Sequence, residues 1–199
     1  MATANINADK QTWADSGSQT SFTAARNATS STTHVNYTNS QFNRSDAIQE
    51  VYSSGRGGGV WRFARSFFFF DTSSISGTIT AIDLKIYGYL FAGNRVRIAK
   101  STAFGTSGGS AYANSDFNNW TTLGFGGAPI PYSTDFTWTA GATNTIALNA
   151  DAISNANSNN YINLVAVGQI NDYTGNAPFF DVVMNSGIQF ASTTEFPKL

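Results

Sequence analysis

The strongest constraint in this sequence is a run of four phenylalanines, followed by a turn and then by an alternating segment. Residues 67–70 are continuously apolar, which is typical of a strand that is covered on both faces. Residues 71–77 supply the Asp, Ser, Thr and Gly that turn a chain. From residue 82 to residue 90, apolar and polar side chains alternate with a period of two. Two such strands in succession predict a β-sheet protein rather than a helical one.

Residues 65–87 also resemble the opening of a DNRLRE-type β-sandwich domain. They read R-S-F-F-F-F-D-x-S-S-I and then T-I-T-A-I-D-L-K-I-Y. That family carries Arg-Ser, an apolar pair, Phe-Asp, Ser-Ser-Ile and a strand of the form I-T-S-A-K-L-K-L-Y. Trp138 with segments 146–153 and 162–167 is similar to its second half, and residues 190–199 are similar to its terminal F-x-S-x-E…P-x-L.

The resemblance spans residues 60–199 and implies a jelly-roll-like sandwich of the kind found on surface proteins and beside carbohydrate-active modules. It implies no catalytic residues. The family continues after P-x-L into a final strand, whereas this sequence stops at Leu199. We therefore expect an open sheet edge that a neighbouring chain could fill by β-strand addition.

Length and composition favour one folded domain over residues 1–199. A chain of 199 residues can bury a substantial core, and 14% aromatic against 12% charged residues argues against disorder. We predict an all-β fold, a two-sheet antiparallel β-sandwich of about eight to ten strands with a jelly-roll-like course. Residues 101–133 are rich in Gly and aromatic residues and are predicted to form a long loop region.

Several local expectations follow from the pattern of residues. Short strands are predicted near residues 3–7, 20–26 and 33–38, and a central strand with two apolar faces over 161–167. Residues 151–157 favour one helical turn, capped by Asn149 or Asp151. Asp71 is expected to cap backbone amides of its own turn.

The net charge and the N-terminal residues argue against several classes of function. The net charge of −1 without a long basic run gives no support to nucleic-acid binding or to an anionic membrane surface. No stretch of about twenty apolar residues is present, so no membrane insertion is expected. The first residues lack the basic and apolar regions of a secretory signal. This suggests a protein made in a cytoplasm that reaches its place by assembly, although a segment cut from a secreted protein would look the same.

The sequence predicts no enzyme and no cofactor. His34 is the single histidine, and no nucleophile-elbow motif or marked pair of carboxylates accompanies it. The glycine-rich stretch 55–59 lacks the Lys-Ser/Thr of a phosphate loop. A structural Ca²⁺ held by loop carboxylates is the one metal site considered. Its candidate ligands are Asp9, Asp15, Asp151 and Asp172.

Four aromatic residues are candidate contacts for a glycan or a protein partner: Trp61, Tyr112, Trp120 and Tyr132. Each lies in or beside a predicted loop, where flat rings can stack on the apolar face of a sugar. The alternative is that these rings fill the core or the lid of an aromatic-rich sandwich.

The function that we expect first is structural. A low-charge surface rich in Ser, Thr and Asn suits a non-enzymatic exterior protein of a phage virion, such as a capsid decoration, cement or fibre protein. Its expected partners are copies of itself, with a trimer as one candidate stoichiometry, and a capsid or tail scaffold. The alternative is a carbohydrate-binding module of a surface or secreted protein, with an extracellular location.

Overall fold

The all-β prediction is confirmed by a computed structural model, which describes residues 3–37, 44–53, 61–88, 95–105, 107–176, 184–190 and 197–199. These residues form eleven strands, two of them only two residues long. In chain order the strands are β1 (Lys10–Asp15), β2 (Thr33–Tyr37), β3 (Arg44–Ser53), β4 (Trp61–Arg62), β5 (Ala64–Asp71), β6 (Asp83–Gly88), β7 (Arg95–Lys100), β8 (Phe136–Thr137), β9 (Ala142–Ala147), β10 (Tyr161–Gly168) and β11 (Met184–Phe190). The α-helices are α1 (Phe22–Arg26) and α2 (Ala150–Asn159).

The strands form two antiparallel sheets. The first has the order β2-β1-β5-β10-β7-β8, and the second has the order β4-β3-β11-β6-β9. The phenylalanine strand β5 lies in the middle of the first sheet, where Phe68 pairs with Gln11 of β1 and with Leu164 of β10. Since the chain passes from one sheet to the other several times, as from β4 to β5 and from β5 to β6, the course is that of a sandwich rather than a simple meander.

The four phenylalanines are covered on both faces, as the sequence predicts. Phe68 and Phe70 belong to an inner core between the two sheets, and Phe67 and Phe69 belong to an outer core on the opposite face of the first sheet. Strand β10 divides in the same way, with Leu164 in the inner core and its neighbours Val165 and Val167 in the outer one. The period of two along a strand therefore feeds two separate apolar layers.

The long region 101–133 forms the cover of the outer core. It contains two 3₁₀ helices, Asn114–Asn118 and Phe125–Gly127, and no strand among its described residues. Phe104, Tyr112, Phe117 and Trp120 point from this region into the outer core. The approach is close, since a Cβ at Gly108 would lie 1.9 Å from the ring of Phe69. The aromatic residues of this loop region thus form a third layer over the first sheet.

The helices correct one sequence expectation and extend another. The strand predicted at 20–26 is wrong, because Ser21 accepts a hydrogen bond from the Ala24 amide at 3.1 Å and starts α1. Serine at this position caps a helix, and the following alanines favour one. The predicted turn at 151–157 is the longer helix α2, capped by Asn149. Among the residues that the structure describes, no helix has both the length and the apolar character needed to cross a membrane.

The C-terminal residues are paired on both sides. Leu199 and Ile6 exchange backbone hydrogen bonds of 2.8 and 3.0 Å, and Lys198 exchanges a further pair with Lys85 of β6. The segment 197–199 therefore lies between the N-terminal segment and the second sheet, and the open edge expected at Leu199 is filled by this chain itself. In the predicted turn after β5, Asp71 accepts a hydrogen bond from the Ser73 amide at 2.8 Å, as expected. Residues 55–59, 89 and 90 lie outside the described residues.

Candidate functional site

The four aromatic residues singled out from the sequence do not share one surface. Tyr112 and Trp120 are buried in the outer core, and Tyr132 is buried in the inner core. Trp61 is half-buried, with its ring 5.4 Å from that of Phe22 in an edge-to-face arrangement. No part of the Trp120 side chain is exposed in this conformation. Three of the four rings therefore stabilise the fold, and a platform made of all four is not assembled.

Because two phenols are buried, we predict a late step in the alkaline titration of the tyrosines, in which these two lose their protons at a higher pH than the others. Desolvation raises the pKa of Tyr112 and of Tyr132 well above the usual value of about 10. Above about pH 10 these two phenols bind fewer protons in the unfolded chain than in the folded one, so their contribution to the free energy of unfolding should be constant below about pH 10 and fall as the pH rises further. At least two of the eight tyrosines should form phenolate only as the protein unfolds. A spectrophotometric titration checks this, and the double variant Y112F/Y132F should lose the late step.

A buried ion pair fastens the cover of the outer core to the first sheet. Arg65 of β5 and Asp172 are both fully buried, with Nε 2.7 Å from one carboxylate oxygen and Nη2 2.8 Å from the other. The guanidinium also donates to the carbonyl oxygens of Arg26 and Phe117, at 2.7 and 2.9 Å. Its Cζ lies 4.2 Å from the Phe117 ring centroid. One side chain thus joins α1, the 3₁₀ helix Asn114–Asn118 and the π-helical turn Gln169–Tyr173.

The acidic residues considered as calcium ligands are dispersed. Asp172 binds Arg65, and Asp15 lies 2.7 Å from the guanidinium of Arg62. Asp9 accepts the Asp71 amide at 2.7 Å, and Asp151 lies in the first turn of α2. Within the described ranges, no three acidic or histidine side chains are grouped as a metal would require.

His34 takes part in a hydrogen-bond network with Asn114 and Ser31. Its Nδ1 lies 2.6 Å from the amide oxygen of Asn114, which also accepts from the hydroxyl of Ser31 at 3.0 Å. Because an amide oxygen only accepts, the imidazole proton lies on Nδ1. The serine therefore bonds to the amide and not to the imidazole, which is not the order of a catalytic triad.

A shallow cleft lies between α2 and the tip of the loop region. Its volume is about 480 Å³, within the range of small-molecule sites. Helix α2 contributes a polar stripe, because residues at spacings of three and four share one face of a helix. A smaller pocket of about 170 Å³ continues it and shares Lys100 and Asn155. The polar stripe consists of Asp151, Ser154, Asn155 and Ser158, and the remaining walls of the cleft are Lys100, Gly124, Phe125, Ile130 and Tyr132.

Two side chains at this cleft have groups placed in a way that does not stabilise the fold. Phe125 is fully exposed on a glycine turn in which Gly126 and Gly127 have φ values of +70° and +75°. Asn163 in the smaller pocket is only 4% exposed and donates to the Gly105 carbonyl at 2.9 Å. Its side-chain oxygen has no donor among the described residues. Sequence reasoning missed both, although an aromatic residue between glycines is a recognisable signal for an exposed ring.

The second sheet ends on an uncharged edge strand. Leu148 donates to the Ile82 carbonyl at 2.9 Å, and Ile146 pairs with Leu84. Since hydrogen-bonded pairs alternate in an antiparallel ladder, the backbone N–H and C=O groups of Thr143, Thr145 and Ala147 point away from β6. These three residues are exposed and uncharged. Among the described residues, strand β9 therefore pairs with β6 alone, and its other edge lacks the charges and prolines that commonly protect an edge strand.

No protein-family model matches the chain, and no curated protein matches it. The resemblance to DNRLRE-type domains therefore remains a prediction that rests on the residues quoted above.

Proposed function

We propose that this chain is a non-enzymatic structural module that assembles with copies of itself on the exterior of a particle. The observation that carries the proposal is the outer edge of β9, which pairs with no other strand in the described part of the chain. A second copy can add a strand to this edge through the outward N–H and C=O groups of Thr143, Thr145 and Ala147. A net charge of −1 adds little repulsion between copies.

The edge strand β8 of the first sheet differs from β9, and the difference supports this choice of edge. Strand β8 is two residues long, and Asp135 beside it forms ion pairs with Arg95 and Arg97 of β7. Short length and charge are two ways in which proteins protect an edge strand from pairing. Because β9 has neither device, it is the better candidate for a contact between copies.

A phage virion is the setting that the composition favours, with the chain acting as a decoration, cement or fibre protein on a capsid or tail. The polar, weakly charged surface supports an exterior position. The proposal assigns no reaction to the chain. In support of this, His34 is bonded to an amide, and Asp15 and Asp172 are paired with arginines.

Replacing Thr145 with proline tests the assembly. Proline removes the outward N–H of residue 145 but no hydrogen bond within the sheet, so β-strand addition should be lost while the fold is retained. In sedimentation, the native protein is expected as an oligomer and T145P as a monomer with a native circular-dichroism spectrum. The matched control T145V keeps the N–H and should assemble normally. T145K, which adds a charge to the edge, serves as the second variant if T145P fails to fold.

A native protein that stays monomeric at its highest soluble concentration would contradict the proposal. Equal assembly of T145P and T145V would show that a surface other than the β9 edge joins the copies.

A further inference from the structure

We propose that the cleft beside α2 binds a neutral oligosaccharide. The inference does not depend on self-assembly, because the cleft lies beside the first sheet and β9 ends the second. It also differs from a platform built on Trp61, Tyr112 and Trp120, none of which lines the cleft.

The first argument is the exposed ring of Phe125. A large apolar side chain that is fully exposed contributes nothing to the core, and its solvation is unfavourable. The turn that carries it is defined, since the Gly124 amide donates to the Ala128 carbonyl at 2.7 Å. The ring is thus presented at the wall of a polar cleft. This arrangement suits a ligand that has both an apolar face and hydroxyl groups, as a pyranose does.

The second argument is a set of hydrogen-bonding groups left without partners. The buried side-chain oxygen of Asn163 lacks a donor in the part of the chain that the structure describes, and leaving a buried acceptor unpaired is unfavourable. The amine of Lys100, which lines both the cleft and its continuation, has no side-chain partner there either. A sugar hydroxyl can accept from the Lys100 amine.

The third argument is the balance of charge. Lys100 and Asp151 are the two charged residues that line the cleft, one of each sign. An anionic ligand would meet the Asp151 carboxylate, and a cationic ligand would meet the Lys100 amine. The remaining polar groups of the walls are hydroxyls and amides. This set favours a ligand without net charge.

The fourth argument is shape. The cleft and the smaller pocket adjoin at Lys100 and Asn155, so that together they follow the side of α2 from Asp151 to Asn159. A helix of this length spans about 1.5 Å per residue, which gives room for more than one sugar ring along it. An oligosaccharide therefore fits the site better than a single monosaccharide.

Titration of the full chain with defined neutral hexasaccharides tests the inference. Cello-, malto-, manno- and xylohexaose are the probes, a heparin-derived hexasaccharide is the anionic comparison, and calorimetry is the readout. At least one neutral probe should bind. F125A should weaken its binding by about three- to tenfold. K100M, which removes the amine that lines both the cleft and the smaller pocket, should weaken it further, provided that its thermal unfolding stays native-like.

Ile170 provides the matched control, because among the described residues it is the other exposed large apolar side chain, and it does not line the cleft. I170A should bind the hexasaccharide as the native protein does. Absence of binding by all four neutral probes at millimolar concentration would overturn the proposal, as would equal affinities of the native protein and F125A. If only the heparin fragment binds, the ligand class is wrong. If F125A changes only the sedimentation behaviour, Phe125 is a subunit contact and the proposal fails.

Discussion

Replacing Asp172 with alanine is expected to lower the free energy of unfolding by about 3–5 kcal/mol, because it leaves the Arg65 guanidinium buried without a counter-charge. Domains of this size commonly have a total stability of about 5–15 kcal/mol, so this loss is a large part of it. Urea denaturation followed by circular dichroism measures the effect. The double variant R65M/D172L should be markedly more stable than D172A, since no charge then remains in the apolar layer.

An exposed ion pair supplies the control for this experiment. The side chain of Arg95 is 55% exposed where it pairs with Asp135, and surface pairs contribute at most about 1 kcal/mol. R95A should therefore unfold almost as the native protein does. A D172A variant as stable as R95A would show that Arg65 is hydrated rather than enclosed.

Replacing Trp120 with alanine is expected to lower the free energy of unfolding by about 3–5 kcal/mol. The indole is fully buried in the outer core, stacks on Tyr173 at a centroid distance of 6.3 Å, and lies 5.1 Å from the Arg65 guanidinium. Its removal leaves a cavity under the loop cover, and it also removes a cation–π partner of the buried arginine. Thermal and urea unfolding measure the effect.

Two further variants show whether lost packing causes the loss of stability in W120A. W120F keeps a ring in the outer core and removes an indole N–H that has no acceptor among the described residues, so its loss of stability should be smaller. W61A removes a half-buried ring and should be milder than W120A. A W120A protein of native stability that no longer binds a hexasaccharide would instead place Trp120 in a glycan site.

The parts of the fold that could be predicted from sequence are those fixed by side-chain period. Successive side chains of a strand point to opposite faces, so four successive phenylalanines place apolar rings on both faces of residues 67–70. Both faces must therefore be covered, and the structure covers them. Asn149 was predictable as a cap for α2, because its side chain can accept the free amides of a helix start. Both features depend on neighbours along the chain.

The parts that could not be predicted depend on residues distant in sequence. Asp172 looked like a loop acid suited to calcium, because nothing in its local sequence shows that it meets Arg65, 107 residues away. The loop position of Trp120 and Tyr112 is compatible both with a surface site and with a lid over the core, and the second alternative holds because this loop folds over an apolar sheet face. The cleft likewise joins Phe125, α2 and Asn163, which no single motif brings together.

The pairing of residue 6 with residue 199 has a consequence for biosynthesis. This contact closes a loop of nearly the whole chain, so its formation is entropically unfavourable until the rest of the sandwich is in place. During translation, β6 must wait for residues 197–199 to leave the ribosomal tunnel before its flank is occupied. Until that segment is in place, the backbone N–H and C=O groups of Lys85 that bond to Lys198 lack their native partner.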